Sequence, residues 1–544
     1  MDSRRTTARA AAGERELIGR QTAIALAAIV ATGLALRLGY LTYALATPGF
    51  EWQDPDLYMR QALRLTRDDG WRWTFDAVTH TLNRQRHALP PMYPVFLSVF
   101  ALFPGFPVSA LVAQAALGAL AILLMFELGR LVHSARAGLI AAAGFAIWVP
   151  NIFNVWSTSQ ETLYIPLVLL AFVALGRAMR ARSPALFALA GVIWGVAALT
   201  RSMPLFFLVP AAGLYVVMGR DRGRRARETI ALAAGFLLLV APYSVALSRH
   251  FGQPAIVDTH GSLHFEARTD GRTPGLLETA AAAAGEIGAD PSAYIAGVVD
   301  RTRSLLHVNG GRILQIYVAA ATEVRAFAWK ALVHAGADGI LIVSALFAGV
   351  GAAICRGGQV AALLLLWAAV NLGIATLGGF GGARLRTPFE PMLMVLAAVC
   401  FAGGVHVRRR VVVAAGIVPG LLAAAAILPQ VPRSLGAWPD YGIAWPSIFR
   451  RDAGTATNRA GFNLPLAVRG GRPAGTFTVA APGSRAPALV AVRVDGVHVQ
   501  TVQVATRSAA RVTVRSGRHG LAYVELKADR GVAPLSVRVG APGS

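Results

Sequence analysis

Long apolar stretches dominate the chain, separated by short polar loops. A helix needs about 20 apolar residues to cross the hydrocarbon core of a bilayer. Stretches of that kind fall at 21–46, 109–129, 137–157, 161–176, 184–200, 203–219, 229–248, 336–355, 359–378, 389–405 and 411–429, which predicts eleven crossings. Hydropathy leaves 184–219 open between one long helix and two short ones. Loop charge decides for two. The first segment is preceded by Arg4, Arg5, Arg9, Arg15 and Arg20, which place the N-terminus inside. The inside loops are then 130–136, 177–183, 220–228, 356–358 and 406–410, and every one carries arginine. A single helix over 184–219 would invert all the later loops.

Three larger regions are left on the outer side: 47–108, 249–335 and 430–544. The apolar run from Ala88 to Pro104 is too short to span comfortably and reads as a helix lying on or dipping into the membrane. From about Phe462 the pattern changes to strict alternation, broken by Gly, Pro and Asp-Gly, which predicts several short strands. Asp495-Gly496 between two alternating runs is a hairpin signal. The expected fold is a mostly α, polytopic membrane bundle of about 11 helices, followed by a small β-sandwich-like domain. Its parts are a cytoplasmic N-terminus at 1–20, the membrane domain at 21–429, a linker at 430–461 and an extracytoplasmic β-rich domain at 462–544.

Composition sharpens this picture. Of 544 residues, 55% are hydrophobic and only 15% charged, so the chain is an integral membrane protein. A net charge of +24 would suit nucleic-acid binding, but Lys330 and Lys527 are the only lysines and many of the arginines lie in short loops between apolar segments. They orient the protein, and nucleic acid is excluded as a partner. Cys355 and Cys400 lie in or beside apolar segments, so the polar regions carry no disulfide framework. The first apolar segment, about 26 residues long, exceeds a signal-peptide core and reads as a retained anchor.

The outer loops hold the candidate chemistry. Asp54 and Asp56 follow the first crossing in QDPDLYMRQA. A carboxylate there can take a proton from an acceptor hydroxyl as a bond forms. Asp-Pro-Asp also suits a helix start, and both readings stand together. Arg84, Arg86 and His87 precede Pro90-Pro91; Arg201 lies between two crossings; Arg384 and Arg386 stand in GGARLRTPFEP on the outer side, against the positive-inside trend. An arginine fork at a membrane mouth suits a lipid phosphate, although an interfacial anchor is commoner. Glu161 opens a crossing in STSQETLYIPL. It reads either as a first-turn acid with Ser157, Thr158 or Ser159 as cap, or as a group of the outer cavity. His260 and His264, near Asp258 and Glu266, have metal-like spacing without a partner motif, so a divalent metal stays open.

Several pieces in order resemble the GT-C glycosyltransferases, in the bacterial branch related to protein O-mannosyltransferases and lipid A aminoarabinose transferase. They are DPDLYMRQA, PPMYPVFLSVFALFPG, SQETLYIPLVLLAF, GVIWGVAALTRSMPLFFLVP, FGQPAIVDTHGSLHF and ARLRTPFEPMLMVLAA, spread over 21–405. The resemblance implies a membrane bundle whose active site faces outward, and a polyprenyl-phosphate-linked sugar donor used with inversion. It implies a catalytic acid at Asp54 or Asp56, four or two residues before Tyr58. Arg201 is similar to the arginine of the family's Leu-Thr-Arg-Pro pattern, with Ser202 in place of proline. Leu89 stands where many relatives carry a basic residue, so Arg86 or His87 takes the phosphate role. Tyr58, Tyr93, Glu161, Arg384 and Arg386 complete the substrate-binding set. The expected partners are membrane lipid, the donor, and an envelope glycan, lipid or protein acceptor at the inner membrane. A transporter or flippase of lipid-linked sugars is the alternative, but ionisable groups gather in outer loops and no repeat is found, which favours the enzyme. A non-catalytic envelope assembly protein whose strand domain binds glycan is the third reading.

Overall fold

The computed structural model describes residues 2–46, 58–66, 71–82, 85–252, 254–258, 287–306, 335–377, 383–402 and the strands between 455 and 539, with a few isolated positions beside them. Asp54, Asp56, His260, His264, Glu266 and the apolar segment 411–429 lie outside the described residues.

The helices follow the apolar pattern closely. They are α1 (Asp2–Ala46), α2 (Tyr58–Leu65), α3 (Met92–Ala101), α4 (Val108–Val132), α5 (Ala135–Ala146), α6 (Val149–Phe153), α7 (Glu161–Ala181), α8 (Pro184–Thr200), α9 (Met203–Val217), α10 (Arg222–Phe251), α11 (Pro291–Leu305), α12 (Ile340–Ile354), α13 (Gly358–Leu377) and α14 (Glu390–Phe401). Among the described residues, six helices are long and apolar enough to cross a membrane. A seventh crossing arises if α5 and the segment 149–156, bent by 51°, are one span. The predicted crossings at 184–200, 203–219 and 389–405 are shorter apolar helices, so the structure does not confirm the count of eleven. The split of 184–219 is observed: α8 ends at Thr200, Arg201 is extended, and α9 starts at Met203 with Pro204 in its first turn.

The chain reads as it does because the helices must pack on one another as well as on lipid. Phe172, Trp194, Phe207 and Trp367 from α7, α8, α9 and α13 meet in one aromatic knot, with ring centroids 5.0–5.9 Å apart. Edge-on geometry of this kind adds to plain burial. Helices α8 and α10 approach backbone to backbone: a Cβ at Gly191 would run into the Leu232 carbonyl, and one at Gly235 into that of Ala188. Small residues permit such approaches inside membranes.

The stretch 47–108 contains α2, a two-stranded hairpin of β1 (Thr79–Leu82) and β2 (Gln85–Ala88), and α3. The stretch 249–335 contributes α11, capped by Asp290, whose carboxylate accepts from the Ala293 N–H at 2.9 Å. Tyr294 ties this helix to the end of α13 through the Leu377 carbonyl at 2.7 Å.

The C-terminal strands are β3 (Thr455–Asn458), β4 (Phe462–Val468), β5 (Pro473–Ala480), β6 (Ala488–Val494), β7 (Val497–Val504), β8 (Ala510–Arg515), β9 (Gly520–Ala528) and β10 (Leu535–Val539). They form two four-stranded antiparallel sheets, ordered β3-β10-β5-β8 and β4-β9-β6-β7. That alternation is the strand order of an eight-stranded jelly roll. The strands flanking Asp495-Gly496 pair as a hairpin, with Val494 opposite Val497. Strand β3 falls inside the stretch read as linker. Its four residues, Thr-Ala-Thr-Asn, are too few and too polar to show an alternating pattern, and only pairing with β10 defines it.

Candidate active site

The helix ends sort the charges. At one end of the bundle Glu127 of α4 accepts from Arg130 at 2.8 Å and from Arg177 of α7 at 3.2 Å. Arg180 donates to the Leu131 carbonyl at 2.6 Å, and the Gly357 N–H to that of Val132 at 2.7 Å. Three of the predicted inside loops, 130–136, 177–183 and 356–358, therefore share one end.

The opposite end of α4 and α7 holds a buried polar network, roughly 20 Å away at 1.5 Å per residue along α4. Glu161, in the first turn of α7, is 1% exposed. Arg201, just past the end of α8, donates from Nη1 to Glu161 Oε1 at 3.0 Å. Each charge sits at the helix end whose dipole favours it: an acid at an N-terminus and a base at a C-terminus. The Ser159 hydroxyl donates to the other Glu161 oxygen. The Arg201 guanidinium lies 5.9 Å from the centre of the Tyr164 ring. Among the described residues, the other N–H groups of the Arg201 fork have no hydrogen-bond partner. No serine or threonine hydroxyl caps α7, whose N-cap is Gln160. Glu161 is thus a first-turn acid and at the same time one half of a buried ion pair.

Gln114 of α4 knits the rest together. Its carbonyl oxygen accepts from the Tyr93 hydroxyl and from Thr162 Oγ1 at 3.0 Å. Its amide donates to the carbonyls of Val155 and Ser157 at 3.0 and 3.3 Å. Tyr58 stacks edge-on against Tyr93 at 5.0 Å. The network therefore brings Tyr93 and Glu161 close in the chain of contacts, adds Arg201 by the ion pair and places Tyr58 against Tyr93. Gln114 was not foreseen, and Ser159, expected only as a candidate cap of the helix, instead donates to Glu161. A polar side chain inside the apolar run 109–129 is itself a functional signal and would have found Gln114.

The other expected residues lie elsewhere. Arg86 and His87 are in β2, opposite Thr81 and His80. Arg384 and Arg386 occupy a 3-10 turn before α14. Arg386 is 2% exposed, is engaged by Glu390 four residues on, and donates to the Leu305 carbonyl at 3.0 Å. It pins α11 to the start of α14. Among the described residues no three His, Cys, Asp or Glu side chains come together as metal ligands.

Residues 88–248, from the end of β2 into the last turn of α10, match the sequence family described as dolichyl-phosphate-mannose-protein mannosyltransferase. The GT-C resemblance is borne out. Every residue of the Tyr93–Gln114–Glu161–Arg201 network lies within the matched stretch. No curated protein matches the chain in sequence. Among solved structures, similarity is found to the oligosaccharyltransferase of Archaeoglobus fulgidus, at 17% identity and a TM-score of 0.44, covering 76% of this chain and 53% of that one. ArnT of Cupriavidus metallidurans, bound to undecaprenyl phosphate, is similar at 15% identity and a TM-score of 0.42, covering 68% and 59%. The arabinosyltransferase EmbB of Mycobacterium smegmatis is similar at 13% identity and a TM-score of 0.29, covering 95% and 64%. This chain thus spans a little over half of the first two.

Proposed function

We propose that this GT-C protein is a membrane glycosyltransferase that moves a sugar from a polyprenyl-phosphate donor to an envelope acceptor on the outer side of the membrane. The observation that carries the reading is the Glu161–Arg201 pair, buried at the end of the bundle away from the arginine-rich loops. The matched family's description names a dolichyl-phosphate-linked mannose, a donor of the same chemical class. In this reading Arg201 meets the donor phosphate with the part of its fork that Glu161 does not hold. A planar guanidinium offers a phosphate two parallel hydrogen bonds, and a neighbouring carboxylate fixes its orientation. Arg86, His87 and Arg384 supply further positive charge. Arg386, engaged by Glu390 and by the Leu305 carbonyl, holds α11 against the start of α14.

The reaction is a single displacement. The acceptor hydroxyl oxygen bonds to the anomeric carbon as the carbon–oxygen bond to phosphate breaks. Polyprenyl phosphate leaves with the electron pair, and the hydroxyl proton passes to the carboxylate of Asp54 or Asp56. Attack opposite the leaving group inverts the anomeric centre. The phosphate is already an activated leaving group, so neutralising its charge and removing one proton are the tasks left to the protein. The basic loops 130–136, 177–183 and 356–358 lie on the cytoplasmic side of the plasma membrane in this orientation, and residues 430–544 outside.

The test is to incubate purified protein in nanodiscs with polyprenyl phosphates carrying labelled hexoses, pentoses or aminopentoses, and to measure release of polyprenyl phosphate. At least one donor is expected to be consumed. Asp54→Asn or Asp56→Asn is expected to lower turnover by about 10²–10⁴-fold. Normal turnover in both variants would remove the acid from the reading, and consumption of no donor would overturn it.

A further inference from the structure

Arg37 is a buried charge to which the proposed reaction gives no task. It lies in the first crossing, Gly19–Leu45, and its side chain is fully buried. A guanidinium in that setting is expensive unless it is paired or fully hydrogen-bonded. Its partners are all neutral. Nε donates to Asn151 Oδ1 at 3.1 Å and Nη2 to the same oxygen at 2.7 Å. Nη1 donates to the carbonyls of Gly33 at 2.7 Å and Ala146 at 3.2 Å, and Nη2 also to that of Phe145 at 3.3 Å. A guanidinium has five N–H groups, and five acceptor contacts meet them. Gly118 of α4 leaves the room, since a Cβ there would collide with the Arg37 side chain.

The acceptors explain the arginine. Ala146 is the last residue of α5. Its carbonyl would take the N–H four residues on in a continuing helix, but residue 150 is proline and has none. The chain bends by 51° at this point, between α5 and the segment 149–156. Inside a membrane a freed carbonyl needs another donor. Arg37 supplies one to Ala146, a further one to Phe145, whose carbonyl also accepts from the Trp148 N–H at 3.2 Å, and two to Asn151 of the turn beyond. The segment that begins here ends at Val155 and Ser157, whose carbonyls Gln114 holds. Ser159 and Glu161 come next. The stretch between the bend and the ion pair is therefore fixed at its start by α1 and at its end by α4.

We infer that Arg37 is a positioning residue: by bolting the proline break at 146–151, it sets the segment that delivers Ser159 and Glu161 to Arg201. The catalytic half of this statement rests on the glycosyltransferase reading; the conformational half does not. Lysine cannot replace the fork, because three donors on a point charge cannot serve acceptors on both sides of the bend. Asn151→Asp keeps the accepting oxygen and is the conservative control.

Hydrogen exchange of protein in nanodiscs, measured beside donor turnover, tests both halves. In Arg37→Met, Arg37→Lys and the milder Asn151→Leu, amide exchange over 147–160 is expected to rise at least about tenfold, with 184–200 within about twofold of wild type. Turnover at saturating donor is expected to fall about ten- to a hundredfold, with KM within about threefold, as misplacement of a reacting constellation produces. Asn151→Asp should keep wild-type exchange. Unchanged exchange over 147–160 in Asn151→Leu overturns the inference, as does an equal rise in 184–200, which would mark a general loss of stability. If wild-type protein consumes no donor while exchange changes as stated, the bolt stands and the sugar-transfer reading fails.

Discussion

The two ends of the bundle carry the same kind of contact, a glutamate held by arginine across α4, α7 and α8, yet their surroundings differ. At the basic end the Glu127 side chain is 24% exposed and its partners Arg130 and Arg177 are 48% and 58% exposed. At the other end the side chains of Glu161 and Arg201 are 1% and 11% exposed. Water and mobile ions screen the first set, so it contributes about 0–1 kcal/mol and serves mainly to gather loop charge at one face. Burial gives the second a high desolvation cost that only its partners offset. An ion pair kept under those conditions adds little net stability to the fold, and orienting the Arg201 fork is the task our proposal gives it.

The largest effect that tests this contrast comes from Glu161→Ala, which leaves the Arg201 guanidinium largely buried without its carboxylate. Breaking a buried pair from one side typically costs about 3–5 kcal/mol. Thermal unfolding in detergent should show a clearly lowered midpoint, and donor turnover should be lost with it. A midpoint equal to wild type would mean that water already reaches the pair. Arg201→Lys comes next. It keeps the charge but loses the fork, and donor affinity measured by lipid titration should fall about ten- to a hundredfold, the equivalent of roughly 1.5–3 kcal/mol for a charge-assisted hydrogen bond. Unchanged affinity would detach Arg201 from the phosphate. The smallest effect is expected at the basic end: Glu127→Gln should shift stability by no more than about 1 kcal/mol and leave turnover as it is. A loss of turnover there would erase the distinction between the ends.

Much of this contrast can be read in the sequence, because it is written in local signals. Apolar length places the helices, arginine in the loops marks the basic end, and period-two alternation marks β4 to β10. Arg201 and Glu161 stand out as charges at the borders of apolar runs. What does not show is the pairing. Forty residues separate Glu161 from Arg201, and their contact depends on α7 and α8 packing side by side through Phe172 and Trp194. The bend at 146–149 is equally hidden, since the run 137–157 is predominantly apolar and only Pro150, followed by Asn151 and Asn154, hints at a break. Arg386 misleads in the opposite way. Against the positive-inside trend it looks available for a ligand, but Glu390, one turn on in the sequence, already occupies it.

The most direct measurement of the central claim is where the donor phosphate sits. A polyprenyl phosphate with a photoreactive diazirine beside the phosphate can be crosslinked to wild-type protein in nanodiscs and the modified peptides sequenced. The account predicts crosslinks within 157–164 and 199–203, reduced in Arg201→Ala. Crosslinks confined to 130–136 or 177–183, or a pattern that Arg201→Ala leaves unchanged, would contradict it.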